Sequence, residues 1–204
     1  FRPIEDAGAV RRVLRAHGLA PPFVIALGSS DPRKNIAALV EAFGLVAPVI
    51  GSCTLAVVTN YPPLADEFAR QVEARRESSA VRFLTGVTDE DLAALYSAAA
   101  VFVHPSLEEG FGLPLLEAMA CGAPVIAFDN SSVPEVAGDA AVLVPTGSTG
   151  ELARRMVEVL TDEGLRRRLS ARGLARAREF SWERCARETI AAYERAAGAP
   201  PASP

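Results

Sequence analysis

Residues 101–120 read VFVHPSLEEGFGLPLLEAMA, and three textures follow one another within them. Residues 101–104 form a short apolar run, the length of a strand buried on both faces. Residues 105–112 hold two glycines and open with a proline, so a loop is expected. From Leu113 the apolar residues continue into a helix, with Pro114 suited to the first helical position, where its missing N–H is not needed. A buried strand running through a glycine loop straight into a helix is one half of a βαβ unit.

The same alternation extends in both directions. Further strand-like runs lie at residues 23–27, 54–59, 81–84, 124–128 and 141–144. Between them are amphipathic stretches at helical spacing: residues 36–49 with Leu39, Val40, Phe43 and Val46, residues 64–77 with Leu64, Phe68 and Val72, and residues 89–99 with Leu92, Leu95 and Tyr96. Thr88 is placed as an N-cap ahead of three acidic residues. Successive strands start roughly 17 to 32 residues apart, enough for a crossover helix between parallel neighbours. The fold expected is α/β, a doubly wound, Rossmann-like, six-stranded parallel sheet. Beyond a loop at residues 147–150 the chain reads as two or three helices, with Thr149, Thr161 and Ser181 as N-caps and Gly164 and Gly173 weakening the middle stretch. One domain over residues 1–198 is expected, followed by a disordered tail, APPASP, at residues 199–204.

Composition agrees with one folded unit. The 204 residues are 50% apolar with a mean hydropathy of +0.18, and 23% are charged, which excludes an intrinsically disordered chain. A net charge of −4 argues against a general nucleic-acid binder, which carries a basic excess. The balance is uneven: residues 1–150 hold 10 basic and 17 acidic groups, residues 151–204 hold 11 and 8. Cys53, Cys121 and Cys185 lie far apart, the pattern of reduced thiols in a cytoplasmic compartment rather than of a disulfide framework or a zinc site. No apolar run has membrane-spanning length and no signal peptide opens the sequence. Phe1 stands where an initiator Met would, so a piece of a longer protein is expected.

In doubly wound sheets ligands bind outside the carboxyl ends of the strands, so the loops there carry the chemistry. After the first strand come Gly28-Ser29-Ser30-Asp31-Pro32-Arg33-Lys34-Asn35 and then a helix. This is neither GxGxxG nor a P-loop. It is a glycine, a turn and two adjacent cations at a helix start, a setting that suits a diphosphate; a solvated turn is the bland reading. Of 21 basic residues 20 are arginines and the only lysine is Lys34, so a compact ammonium is singled out there. After the fourth strand, Glu109 in the loop and Glu117 just past the first helical turn can flank one polar ligand, accepting from its hydroxyl pairs. Leu115 and Leu116 are expected to offer free backbone N–H groups to an anion. A sugar nucleotide presents both vicinal diols and phosphates.

The stretch EEGFGLPLLEAMACGAPVIA, with seven residues between Glu109 and Glu117, resembles the E-x7-E signature of retaining glycosyltransferases of GT-B fold, family 4. Gly28 through Pro32, Arg33, Lys34 and Asn35 resembles that family's phosphate loop. Residues 81–87 followed by Asp91 and Leu92 resemble its base-binding strand and loop, and Phe180-Ser181-Trp182 the start of its last helix. The resemblance implies that Glu109 contacts the donor sugar, that Glu117 binds the ribose diol and that Lys34, with Arg33 beside it, meets the diphosphate. It implies that the backbone of Gly110, Phe111, Gly112, Leu113 and Leu115 cradles phosphate and that Val87 meets the base. The family commonly has Arg immediately after the first loop glycine, Gly28; this sequence has Ser29.

The resemblance as a whole implies the C-terminal, donor-binding half of a GT-B enzyme that transfers a sugar from a nucleotide diphosphate to an acceptor hydroxyl with retention. The N-terminal acceptor domain lies outside the chain, and the fragment alone is expected to be inactive. A sugar-nucleotide epimerase of the same fold and a non-catalytic nucleotide-binding module are the alternatives. No cofactor or divalent metal is expected, since a DxD-type pair is missing; neither is nucleic acid. The cluster Arg166, Arg167, Arg168, Arg172, Arg176 and Arg178 reads as a solvated helical face with acids interspersed, a peripheral contact at the inner face of the membrane being the rival reading. His104 reads as a satisfied core histidine, His17 as part of a helix end and Trp182 as packing behind a cap.

Overall fold

The computed structural model describes residues 1–61, 63 and 81–198. Its strands are β1 (Phe23–Gly28), β2 (Thr54–Thr59), β3 (Val81–Leu84), β4 (Val101–His104), β5 (Val125–Asp129) and β6 (Ala141–Pro145). All pair in parallel, in the order β3-β2-β1-β4-β5-β6. The expected doubly wound sheet is therefore present among the described residues. The helix expected over residues 64–77 and the tail at 199–204 lie outside them.

Burial on both faces explains the continuous apolar runs. Along β1, Phe23 and Ile25 enter one core while Val24 and Ala26 enter the other. On β4, Phe102 joins the first core and Val101 and Val103 the second, the period-two alternation of a pleated strand. The first core is covered by α1 (Ala7–Ala16), α3 (Asp89–Ala98), α4 (Leu113–Ala120) and α5 (Val133–Ala137), the second by α2 (Ile36–Ile50) and α6 (Thr149–Thr161). Thr88 caps α3 as expected, accepting from the Asp91 amide at 3.2 Å.

Two more helices follow, α7 (Glu163–Ala177) and α8 (Trp182–Ala196). Their caps correct the sequence reading in two places. Ser148, not Thr149, precedes α6, and Asp162, not Thr161, caps α7 by accepting from the Leu165 amide at 2.9 Å. Thr161 is the last residue of α6, and its hydroxyl donates back to the Val157 carbonyl. Ser181 does cap α8. Gly173 has a packing reason for its place in α7: it lies against Met119 of α4, where a Cβ would come within 3.2 Å of the Met119 Cγ. Absence of a side chain is what lets the two helices approach.

Trp182 corrects a further expectation. It is 76% exposed on α8, a helix with no buried residue, and does not pack behind its cap. The arginines of α7 are mostly engaged. Arg166 donates to the carbonyls of Val159 and Leu160 at the end of α6, and Arg176 to those of Glu135 and Val136 at the end of α5. Arg167, Arg168 and Arg172 lie beside Glu163, Asp162 and Asp139. Among the described residues no helix is long and apolar enough to cross a membrane.

Candidate functional site

The strand order reverses between β1 and β4, and the loops leaving those two strands diverge around the crevice where α/β sheets bind ligands. Side chains and backbone tie the two loops together. The Leu107 amide donates to the Arg33 carbonyl at 2.8 Å, and Asn35 Nδ2 to the Pro105 carbonyl at 3.2 Å. Asn35 itself is left-handed, φ 52°, a conformation Asn tolerates well, and it links a single 3-10 turn, Pro32–Lys34, to α2. The loop after β5 adds two braces: Asn130 Nδ2 donates to the Ser106 carbonyl, and the Ser132 hydroxyl to the Glu109 carbonyl. Asn130 and Ser132 were not singled out by the sequence reading; both are polar residues just past the carboxyl end of β5.

Within this frame Lys34 and Glu109, 75 residues apart in sequence, meet: Nζ donates to Oε1 at 2.6 Å. The pair is sheltered, with side chains 27% and 12% exposed. Glu109 has a third neighbour that the sequence reading placed elsewhere. His104, the last residue of β4, is buried as expected, but it is not a satisfied core histidine. Its Nε2 lies 3.0 Å from Glu109 Oε1, yet among the described residues that buried nitrogen has no aligned hydrogen-bond partner. His104 above all, then Lys34 and Ser106, hold the Glu109 carboxyl down at about 2 against the opposing effect of burial. Glu109 is thus a fixed anion with an ammonium on its outer side.

The other expected residues are distributed around this pair. Gly28 ends β1. Ser29, standing where the resembled family has Arg, accepts from the Asp31 amide at 3.2 Å and shapes the turn. Arg33 forks its guanidinium onto Asp31, with Nη2 to Oδ2 at 2.6 Å and the side chain 58% exposed. Gly112 takes φ 94°, a left-handed conformation glycine permits, and caps α4. A Cβ at Gly110 would meet only open space. Phe111, half exposed, rests edge-on against Phe180, with ring centroids 6.0 Å apart.

The start of α4 corrects one assignment. Leu115 does not offer a free amide: its N–H donates to the Gly112 carbonyl at 3.0 Å and its side chain is fully buried. The helix begins at Leu113, a residue earlier than Pro114, so the first orphan amide facing the loop is that of Leu113. Glu117 sits one turn further along in a different setting. Burial, then the charge of Asp89, pushes its carboxyl upward. Val87 packs on the first core just ahead of the Thr88 cap. Near Glu117 the buried Tyr96 hydroxyl has no hydrogen-bond partner among the described residues, and burial pushes it well up. His17, at the C-cap of α1, reaches Asp91 of α3 with Nε2 at 3.0 Å from Oδ2.

A six-stranded, all-parallel Rossmann-type sheet is the C-terminal type of half found in GT-B glycosyltransferases. Residues 13–176 match glycosyl transferases group 1, and the chain belongs to that family. Among its relatives is the O-antigen chain mannosyltransferase B of Escherichia coli, 39% identical over 184 residues, which cover 89% of this chain and 48% of that protein. MMP alpha-(1->4)-mannosyltransferase of Mycolicibacterium hassiacum is 36% identical over 178 residues, 85% of this chain and 43% of that one. Of the solved structures, sucrose-phosphate synthase from Thermosynechococcus elongatus superposes with a TM-score of 0.80 at 30% identity, over 97% of this chain and 50% of its own. The chain thus spans about half the length of these proteins.

Proposed function

We propose that this chain is the donor-binding half of a retaining glycosyltransferase and holds a nucleotide diphosphate sugar in the crevice between β1 and β4. The observation that carries this reading is the sheltered Lys34–Glu109 pair at the switch point, a cation and a hydroxyl acceptor side by side. The ammonium of Lys34 and the orphan amide of Leu113 take the diphosphate. Glu109 accepts from hydroxyls of the donor sugar, and Glu117, one helical turn inside α4, accepts from the ribose diol. Gly28 and Ser29 form the floor beside the phosphates, the backbone of Gly110, Phe111, Gly112 and Leu113 the opposite wall, and Val87 the edge that meets the base.

In the whole enzyme an N-terminal acceptor domain closes over this site and presents a hydroxyl. The bond from the anomeric carbon to the diphosphate oxygen breaks, and a bond to the acceptor oxygen forms on the same face of the sugar. The acceptor proton passes to the departing phosphate. Lys34 and the start of α4 stabilise the charge that develops there, an electrostatic role that needs no divalent ion. Binding is therefore expected to survive chelation of divalent metals. The names of the relatives make a mannose-bearing donor the first to test.

The test is calorimetry of this chain with nucleosides, nucleoside diphosphates and their sugars. Lys34→Ala is expected to weaken diphosphate binding by about 1.5 to 3 kcal/mol, the worth of a charge-assisted contact, and to leave nucleoside binding alone. Equal losses for nucleoside and diphosphate would make Lys34 a structural residue and place the phosphates elsewhere.

A further inference from the structure

Glu109 Oε1 is claimed from two sides. Toward the crevice stands the Lys34 ammonium at 2.6 Å; toward the protein stands His104 Nε2 at 3.0 Å. The two donors differ in access. The His104 side chain is 4% exposed and its ring lies 5.9 Å from that of Phe102, so no ligand in the crevice reaches it. Its ring nitrogen nonetheless has no hydrogen-bond partner among the described residues, although it shares Glu109 Oε1 with the closer lysine. A buried ring nitrogen left without a partner is costly, and it is already at contact distance from the Glu109 carboxylate, which its N–H could serve.

Donor binding changes this balance. A diphosphate brings more than one negative charge to Lys34 and draws the ammonium outward. Glu109 then loses its short partner and gains an anionic neighbour in a sheltered site, where an uncompensated carboxylate is expensive. We propose that His104 is the positioning residue for Glu109, taking over its carboxylate when the Lys34 ammonium moves to the donor's diphosphate. Released from the lysine, Oε1 swings into line with Nε2–H, and the carboxylate stays aimed at the sugar. The inference rests on the donor-binding reading above and adds a residue to it. No ligand atom touches His104; it acts through Glu109.

The experiment uses this chain, with GDP, GDP-mannose, UDP and UDP-glucose as calorimetric probes. His104→Phe keeps an aromatic ring in place and removes the donor, whereas His104→Gln presents an amide N–H at comparable reach. In His104→Phe the diphosphates are expected to bind within about twofold of the wild type, while the tighter binding contributed by the sugar falls about tenfold. His104→Gln is expected to restore most of it. Equal losses for diphosphate and sugar nucleotide, or a Gln variant as impaired as the Phe variant, would overturn the proposal. A second measurement needs no ligand. In a Lys34→Met background, which imitates departure of the ammonium, His104→Phe should lower the melting temperature more than it does in the wild type. That extra loss should vanish when Glu109→Gln is also present; if it never appears, the hand-over is wrong. A wild-type chain that binds no sugar nucleotide overturns the donor reading and the diphosphate step with it, and the thermal comparison then decides whether His104 positions Glu109.

Discussion

Replacing Glu109 by Gln tests the electrostatics of the site without any ligand. The amide imitates a protonated carboxyl in size and shape, so wild type and variant differ only while Glu109 is ionised. His104, Lys34 and Ser106 hold the folded-state value at about 2, against an ordinary value of 4.5. A depression of that size corresponds to about 3 kcal/mol of stability. The side chain is only 12% exposed, so little of this is lost to solvent screening. The sign follows from linkage. A carboxyl whose folded value is depressed contributes fully above its unfolded value and loses the contribution as pH falls through the folded one. Glu109→Gln is therefore expected to cost at most about 3 kcal/mol at pH 7 and less at pH 3.5, the two proteins converging toward pH 2. Urea unfolding at a series of pH values from 7 to 3, with midpoints converted at a common slope, measures the difference directly. An offset that stays constant over that range, or a variant as stable as the wild type at pH 7, would refute the assignment of Glu109 as a buried anion held by these partners.

Three further outcomes are expected. Glu117→Gln should lower affinity for ribonucleotides and reduce discrimination against their deoxy forms, since an amide oxygen accepts more weakly and its NH₂ only donates; titration of ribo- and deoxynucleoside diphosphates compares the two. Gly112→Ala forces a side chain into φ 94° with Leu115 Cδ1 3.2 Å from its Cβ, so a stability loss of about 1 to 2 kcal/mol in denaturant unfolding is expected, with weaker diphosphate binding as the start of α4 shifts. Gly173→Val drives a branched side chain against Met119 and the α4 backbone, 3.5 Å from the Met119 Cα, and should destabilise by about 1 to 3 kcal/mol in thermal unfolding while leaving the crevice chemistry unchanged.

Sequence alone determined the architecture, because parallel strands buried on both faces must be short and continuously apolar and must be separated by amphipathic crossovers. That constraint is local and periodic, so the runs at β1 and β4 and the helices after them were legible, and the glycine loop with its two glutamates pointed at the carboxyl edge of the sheet. Lys34 stood out as the only lysine, and Glu109 by its place in the glycine loop and the resemblance of the E-x7-E stretch to a known signature. What the sequence could not supply is which groups meet. Lys34 and Glu109 lie 75 residues apart and pair only because the strand order places β1 beside β4. Arg33 adjoins Lys34 in sequence, yet a 3-10 turn sends its side chain to Asp31. His104 looked like core from its place at the end of an apolar strand, and its burial was indeed set by that strand. Whether its ring nitrogen would be satisfied depended on where a loop five residues later folded back, a distance that only packing decides. Gly173, a poor helix residue by propensity, became a contact surface because α7 had to approach Met119 closely. Local propensity and periodicity act within one element, whereas charge pairing and close approach are properties of two elements brought together, and only the tertiary structure brings them together.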